Sequence, residues 1–228
     1  ETRLRKIRSA EYFPMQLDIE PIFKAGKWLF AGVLGVTRNR SRETKETEFL
    51  SRRHYLAYQA NDELSFRVGR FYPQFGILSP DHARLSRRSL GFDQGQESSN
   101  FEIGFSNSAI EASLTPIFSQ YRGTIQEKRS GGTVNLAFPI SNSKIGFSGL
   151  ILRDDSTNKT AASLWGILGL SEHLFWLTEF DRVEAELLTA KVASLVTTQV
   201  IGFEITRGFI PYFSYEWEEV GTATTTQV

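Results

Sequence analysis

Residues 101–115 read Phe101-Glu-Ile-Gly-Phe-Ser-Asn-Ser-Ala-Ile-Glu-Ala-Ser-Leu-Thr115, and this stretch decides the fold class. Phe101, Ile103 and Phe105 alternate with Glu102 and Gly104. After the turn Ser106-Asn-Ser108, Ile110, Ala112 and Leu114 alternate with Glu111, Ser113 and Thr115. Successive side chains of a strand point to opposite faces, so this is a hairpin with one apolar and one polar face.

The same alternation spreads outward from the hairpin. Val134, Leu136 and Phe138 stand opposite Thr133 and Asn135, and Ile145 and Phe147 follow the turn Pro139-Ile-Ser-Asn-Ser143. Strands are expected earlier at about 14–24, 26–37, 47–60 and 63–72, and later at about 160–170, 172–183, 198–206 and 209–218. In the fourth of these, Leu64, Phe66 and Val68 share one face, and Ser65, Arg67 and Gly69 the other. Residues 184–195 fit either a strand pair or a short helix. The count is about 12 strands, with about 10 to 16 possible, and no break in composition divides residues 1–228 into two domains. One connection stands apart: residues 72–99, a length that usually carries function. Within it Ser79-Pro80-Asp81 reads as a helix start and Gly91 as a stop, which predicts a short helix over 80–90. Arg84 and Arg88 would share its face, with Arg87 beside them.

Composition narrows the function classes. The 228 residues are 40% hydrophobic and 23% charged, which excludes extensive disorder. Aromatics at 13%, with 18 phenylalanines and 18 glycines, fit strands better than helices. No cysteine is present, so disulfides, a thiolate nucleophile and sulfur-ligated zinc are excluded. Three histidines leave little for an imidazole metal site. Twenty-six Lys and Arg balance 26 Asp and Glu, which disfavours a nucleic-acid binder. The balance hides a split. Residues 1–100 hold 17 basic and 12 acidic side chains, a net +5, and residues 101–228 hold 9 and 14, a net −5. Ten arginines fall between Arg38 and Arg88. The longest apolar stretches, residues 29–36 and 164–170, are under half of the roughly 20 residues of a membrane helix but near the roughly 9–11 of a membrane strand. No signal peptide precedes Glu1, so the sequence is expected to be a mature or trimmed product or a fragment.

Alternating strands close as a barrel or pack as a soluble sandwich that binds a ligand. Charges at mid-strand on the polar faces (Arg67, Glu102, Glu111, Glu179) favour a wet lumen and thus an antiparallel transmembrane β-barrel. Aromatics near strand ends fit interfacial girdles: Tyr12, Phe13, Trp28, Phe71, Tyr72, Phe118, Tyr121, Phe175, Trp176, Tyr215 and Trp217. The stretch Phe66-Arg-Val-Gly-Arg-Phe-Tyr-Pro-Gln-Phe-Gly-Ile77 resembles phosphate-selective porins and related Gram-negative porin-like barrels. There a strand ending in Val-Gly-Lys/Arg-Phe runs into an aromatic-Pro-x-Phe-Gly turn. Residues 204–216 are similar to the Arg-Gly hairpin and aromatic strand late in such barrels. The resemblance implies an outer-membrane porin passing small hydrophilic solutes. The chain departs from the family by being shorter and by ending Thr224-Thr-Thr-Gln-Val228 instead of in an aromatic, so terminal strands are missing or this is a smaller relative.

Arginines in a lumen stabilise anions. Pore-lining residues are therefore expected at Arg53, Arg67, Arg84, Arg87, Arg88, Glu102 and Glu111, giving a mild anion preference. Arg67 is the clearest of them. Arg53 shares its face with Ser51 and Gln59 but also with Tyr55. The competing expectation is that these arginines are solvated, or paired with lumen carboxylates such as Glu102 and Glu111. Arg3, Arg5, Lys6 and Arg8 fit either lipopolysaccharide phosphates or a solvated tail. Expected partners are the bilayer, small solutes or anions, and a homo-oligomer or periplasmic lipoprotein, with no nucleic acid. No cofactor is implied. Catalysis is not expected, since His54 and His82 stand alone and Asp154-Asp155 is turn chemistry. The alternative function is a scaffold or sleeve with a plugged or partner-filled lumen.

Overall fold

The computed structural model describes residues 16–40, 45–77, 85–92, 97–122, 125–127, 129–154, 157–187, 190–221 and 224–225. Its strands are β1 (Gln16–Ile19), β2 (Ile22–Ala25), β3 (Trp28–Arg40), β4 (Lys45–Gln59), β5 (Leu64–Phe71), β6 (Ser98–Ser106), β7 (Glu111–Arg122), β8 (Ile125–Glu127), β9 (Ser130–Ile140), β10 (Ser143–Arg153), β11 (Thr157–Gly169), β12 (Leu174–Leu187), β13 (Ala190–Phe203), β14 (Tyr212–Val220) and β15 (Thr224–Thr225). One short helix, α1 (Leu85–Leu90), lies between β5 and β6.

All fifteen strands belong to one sheet, and neighbours in sequence pair antiparallel. Three strands are interrupted. β1 and β2 both pair with β3, β8 and β9 both with β7, and β14 and β15 both with β13. The main path therefore has 12 positions, in agreement with the sequence expectation. Residues 184–195 become the facing ends of β12 and β13, with Glu184 opposite Ala193. The run Glu184-Ala-Glu-Leu-Leu-Thr-Ala-Lys191 has helix-forming composition, but ladder pairing overrides that propensity. Arg182 and Lys191 both pair with Glu184 on the outward side.

Strand connections at one end are tight and chemically marked. The Oδ1 atoms of Asn61 and Asn107 each accept two backbone N–H groups, from Glu63 and Leu64 and from Ala109 and Ile110. The Ser171 hydroxyl does the same for His173 and Leu174. Side chains that satisfy their own turn in this way are why Asn and Ser recur between strands.

The sheet is inside out for a water-soluble protein. Leu114, Val134, Phe147, Ile151, Leu164, Phe180, Leu195 and Ile201 are exposed, whereas Thr115, Thr133, Asn135, Ser148, Ser163, Glu179, Asp181 and Thr198 are buried. A soluble sandwich would bury the first set, so that alternative is overturned; a lipid-facing band over a polar interior accounts for both sets. No helix among the described residues is long and apolar enough to cross a membrane.

The expected aromatic girdle holds only in part. Trp28, Phe118, Tyr215 and Trp217 are exposed, and Trp28 packs on Tyr58 at 4.6 Å between ring centroids. Phe71 instead points inward and is fully buried, because it falls on the same side of β5 as Arg67. Tyr72 packs against an interior cluster. Tyr12, Phe13 and the side chain of Tyr121 lie outside the described residues.

Leu164 sits mid-strand on the lipid face between Phe147 and Phe180. Leu164→Arg is expected to cost about 2–4 kcal/mol of stability, as a cation near the bilayer midplane does. Urea titration of vesicle-inserted protein measures the loss.

Candidate functional site

The segment between β5 and β6 turns into the interior. Phe75, Leu90 and Phe92 of this segment pack on Ile117 of β7, Leu150 and Leu152 of β10, Ala161 of β11 and Val183 of β12. The inner face is apolar at this level, which gives the segment an apolar seat. Around the seat are polar pins. Gly76 N–H donates to Ser148 Oγ at 2.9 Å, and Ile77 N–H to Glu179 Oε1 at 3.2 Å. Leu85 N–H donates to Glu216 Oε2 and the Ser89 hydroxyl to Glu218 Oε1, both at 3.1 Å. Lys159 Nζ donates to the Ser89 carbonyl at 2.9 Å. A segment leaving β5 thus touches β10, β11, β12 and β14. Only a sheet coiled around it allows that.

Local chemistry sets the segment's path. Gly76 has φ of 57°, and the Glu179 carboxylate occupies the place a Cβ would take. Any larger residue meets both objections at once. The helix begins at Leu85 among the described residues; Ser79, Pro80, Asp81, His82 and Arg84 lie outside them. Its end is as expected: Gly91 has φ of 79°, and Phe92 N–H closes on the Arg87 carbonyl at 2.9 Å.

The expected pore-lining residues take distinct places. Arg67 and Glu102 are brought together at 2.7 Å on neighbouring strands, and the Thr115 hydroxyl also donates to Glu102 Oε2 at 3.1 Å. Arg67 lies over the Phe71 ring at 3.8 Å and is 5.2 Å from that of Tyr55. It is therefore a paired and stacked cation, as the competing expectation held. Glu111 meets no arginine; it accepts from Lys144 through both oxygens, at 2.7 and 2.6 Å, across intervening β9. Arg53 pairs with Glu20 at 3.2 Å near the first strands. An irregularity between Val33 and Leu34 sets Arg53 opposite Val33 and Ser51 opposite Leu34, so the simple alternation relating Arg53 to Ser51 does not hold. Arg87 stacks over Tyr72 at 4.7 Å. The side chain of Arg88 is outside the described set, as are Arg3, Arg5, Lys6 and Arg8.

Sequence reasoning missed a second group. Arg70 donates to Glu97 Oε2 and Tyr72 to Glu97 Oε1, both at 2.9 Å, with Glu97 only 1% exposed. Glu97 follows a polar Asp-Gln-Gly-Gln run that gives no sign of burial. Glu216 and Glu218 did carry a signal, since they alternate with the outward Tyr215 and Trp217. Arg129 and Asp154 pair at 2.9 Å at the end of the barrel from which the long segment departs. Asp154 Oδ1 also accepts from Thr157 N–H at 2.6 Å, the turn chemistry expected of it. No group of three His, Asp or Glu side chains placed to hold a metal occurs among the described residues.

No family model matches the chain, and no curated protein matches it. Its fold is similar to a loop L8 deletion mutant of OmpT, an outer membrane protein of Vibrio cholerae. That match has a TM-score of 0.55 and 11% identity over 91% of this chain and 85% of that one. The outer-membrane expressed OmpT of Vibrio cholerae gives 0.52 and 10%, over 90% and 79%. A mutant of the Rh. blastica porin gives 0.47 and 9%, over 91% and 86%. The chain thus has the fold of outer-membrane β-barrel proteins, and with its apolar side chains turned outward that fold places it in the outer membrane.

Two substitutions test this geometry. Glu97→Ala removes a shared acceptor from a buried position and is expected to cost about 3 kcal/mol, read from urea unfolding of the folded barrel. Gly76→Val is expected to dislodge the segment from Ser148 and Glu179, seen as faster proteolysis between residues 72 and 97 with the strands intact.

Proposed function

We propose that this outer-membrane barrel is a narrow diffusion channel for small hydrophilic solutes, with the segment between β5 and β6 as its fixed constriction. One observation carries the proposal: the segment reaches from β5 to β14 inside a polar-walled coil and is pinned there by backbone and side-chain hydrogen bonds. A polar wall is of use to a protein that lets water and solutes in. The barrel acts without catalysis in this scheme. Its selectivity is weak. Arg67 is neutralised by Glu102 and Arg53 by Glu20, while Glu216 and Glu218 bring negative charge to the other side. Any anion preference that remains is mild.

A second proposal has support of its own. The inner wall from β7 to β13 is buried around the segment, as a plugged scaffold for a partner would require. Conductance in a planar bilayer under a salt gradient separates the two. A channel gives small discrete steps with a reversal potential close to zero, and the pair Phe75→Ser with Phe92→Ser enlarges the steps by loosening the apolar seat. Silence from a folded, inserted barrel in both forms would rule out the channel and leave the scaffold.

A further inference from the structure

We propose that the lipid-facing side of β9, β10 and β11 binds the phosphorylated glycolipid of the outer leaflet, lipopolysaccharide, with an acyl chain of its lipid A in a groove over Gly149 and a phosphate on Arg153. The groove has a volume of about 790 Å³. Register sets its place. Val134 stands opposite Gly149, and Gly149 opposite Ala162. One row on, Gly132 stands opposite Ile151, and Ile151 opposite Thr160. Val134 and Ile151 line the groove with 51% and 49% exposure, on the outward face that also carries Leu114, Phe147 and Leu164.

The bilayer decides what fills it. A Cβ added at Gly149 would meet nothing within 4 Å, so the space above that residue is open. Within hydrocarbon such a hollow is neither left empty nor wet. A void forfeits the dispersion contacts of its lining, and the bilayer core holds no water to enter it. A lipid chain is the remaining occupant.

Charge at the rim selects the headgroup. Arg153 and Thr160 line the groove where β10 ends and β11 begins. Arg153 is exposed, its register partners Ser130 and Asn158 are neutral, and it joins no ion pair among the described residues. The carboxylates nearby are matched already. Asp154 is held by Arg129, and Glu184 by Arg182 and Lys191, with Lys191 also opposite Glu186 in register. A guanidinium left over beside a lipid groove suits a phosphate, which it can hold through two N–H groups. Position selects the leaflet. Arg153 lies at the end of the barrel from which the segment after β5 departs, and in outer-membrane barrels the longer connections face the cell exterior.

The test uses folded, delipidated protein in detergent, titrated with purified lipid A and read by native mass spectrometry, its folding confirmed by gel mobility without heating. Wild type is expected to retain one lipid A. Arg153→Gln is expected to weaken retention by about fivefold, the scale of one basic side chain at a charged membrane surface. Gly149→Phe places a ring in the open space and is expected to weaken it by about tenfold, as displacing two methylenes of a buried chain does. Lipid A stripped of its phosphates is expected to bind wild type and Arg153→Gln alike. Lys24→Gln, beside the turn between β2 and β3 at the other end of the barrel, is expected to bind as wild type. Should Gly149→Phe not fold, Gly149→Leu and Arg153→Gln carry the same comparison. No retention by wild type overturns the site, as does a folded Gly149→Phe that binds like wild type. Equal losses in Lys24→Gln and Arg153→Gln overturn it as unspecific charge attraction, and phosphatidylglycerol held as tightly as lipid A overturns the assignment to lipopolysaccharide.

Discussion

A strand surrounded by hydrocarbon can place its amides and carbonyls only on the next strand, since lipid offers no hydrogen bond in exchange. Most of this structure follows from that requirement. Apart from the short segments β2, β8 and β15, the strands pair in chain order, so the chain can lay down its ladder without long crossovers. Where a strand is broken, as between β1 and β2 at Pro21, a second segment takes up the remaining length of the same neighbour. The period-2 alternation then has nowhere to send its apolar half except outward. Phe147, Leu164 and Phe180 form one row of that outward face, in register across three strands.

Turning apolar groups outward leaves the polar half facing inward, and this creates a second problem. Polar side chains crowded inside a barrel must satisfy one another or be met by something that enters. Here the segment between β5 and β6 does both. Its aromatic side chains find an apolar level of the wall, and its backbone N–H groups go to Ser148, Glu179 and Glu216. The pairs Arg67–Glu102 and Lys144–Glu111 reach the same end by side chain alone. Ions in such a confined space are costly unless paired, so pairing is the ordinary outcome.

Legibility differed by level. The hairpin at 101–115 appears as β6 and β7 with its turn where the alternation put it, because one residue of slip would move every side chain to the wrong face. The inward side of Arg67 followed from the same rule. The direction of Phe71 did not follow from its place at a strand end. Position along a strand suggests a girdle, whereas parity decides the face. Arg53 was obscured by the irregularity opposite Val33 and Leu34, which no local pattern announces. Glu97 was invisible, since a carboxylate in a polar loop looks solvated until Arg70 and Tyr72 are brought to it.

The sequence by itself determined the strands, their number, their two faces and the presence of a long connection bearing a short helix. These are local matters: side-chain period, turn chemistry and capping are all written within about ten residues. Only the tertiary structure decided that the connection folds inward and which charges neutralise one another. Those contacts join residues far apart in the chain, such as Gly76 with Ser148 and Leu85 with Glu216. Coiling of the sheet sets their distances, and a pattern that repeats every two residues along one strand carries no measure of what lies across the lumen.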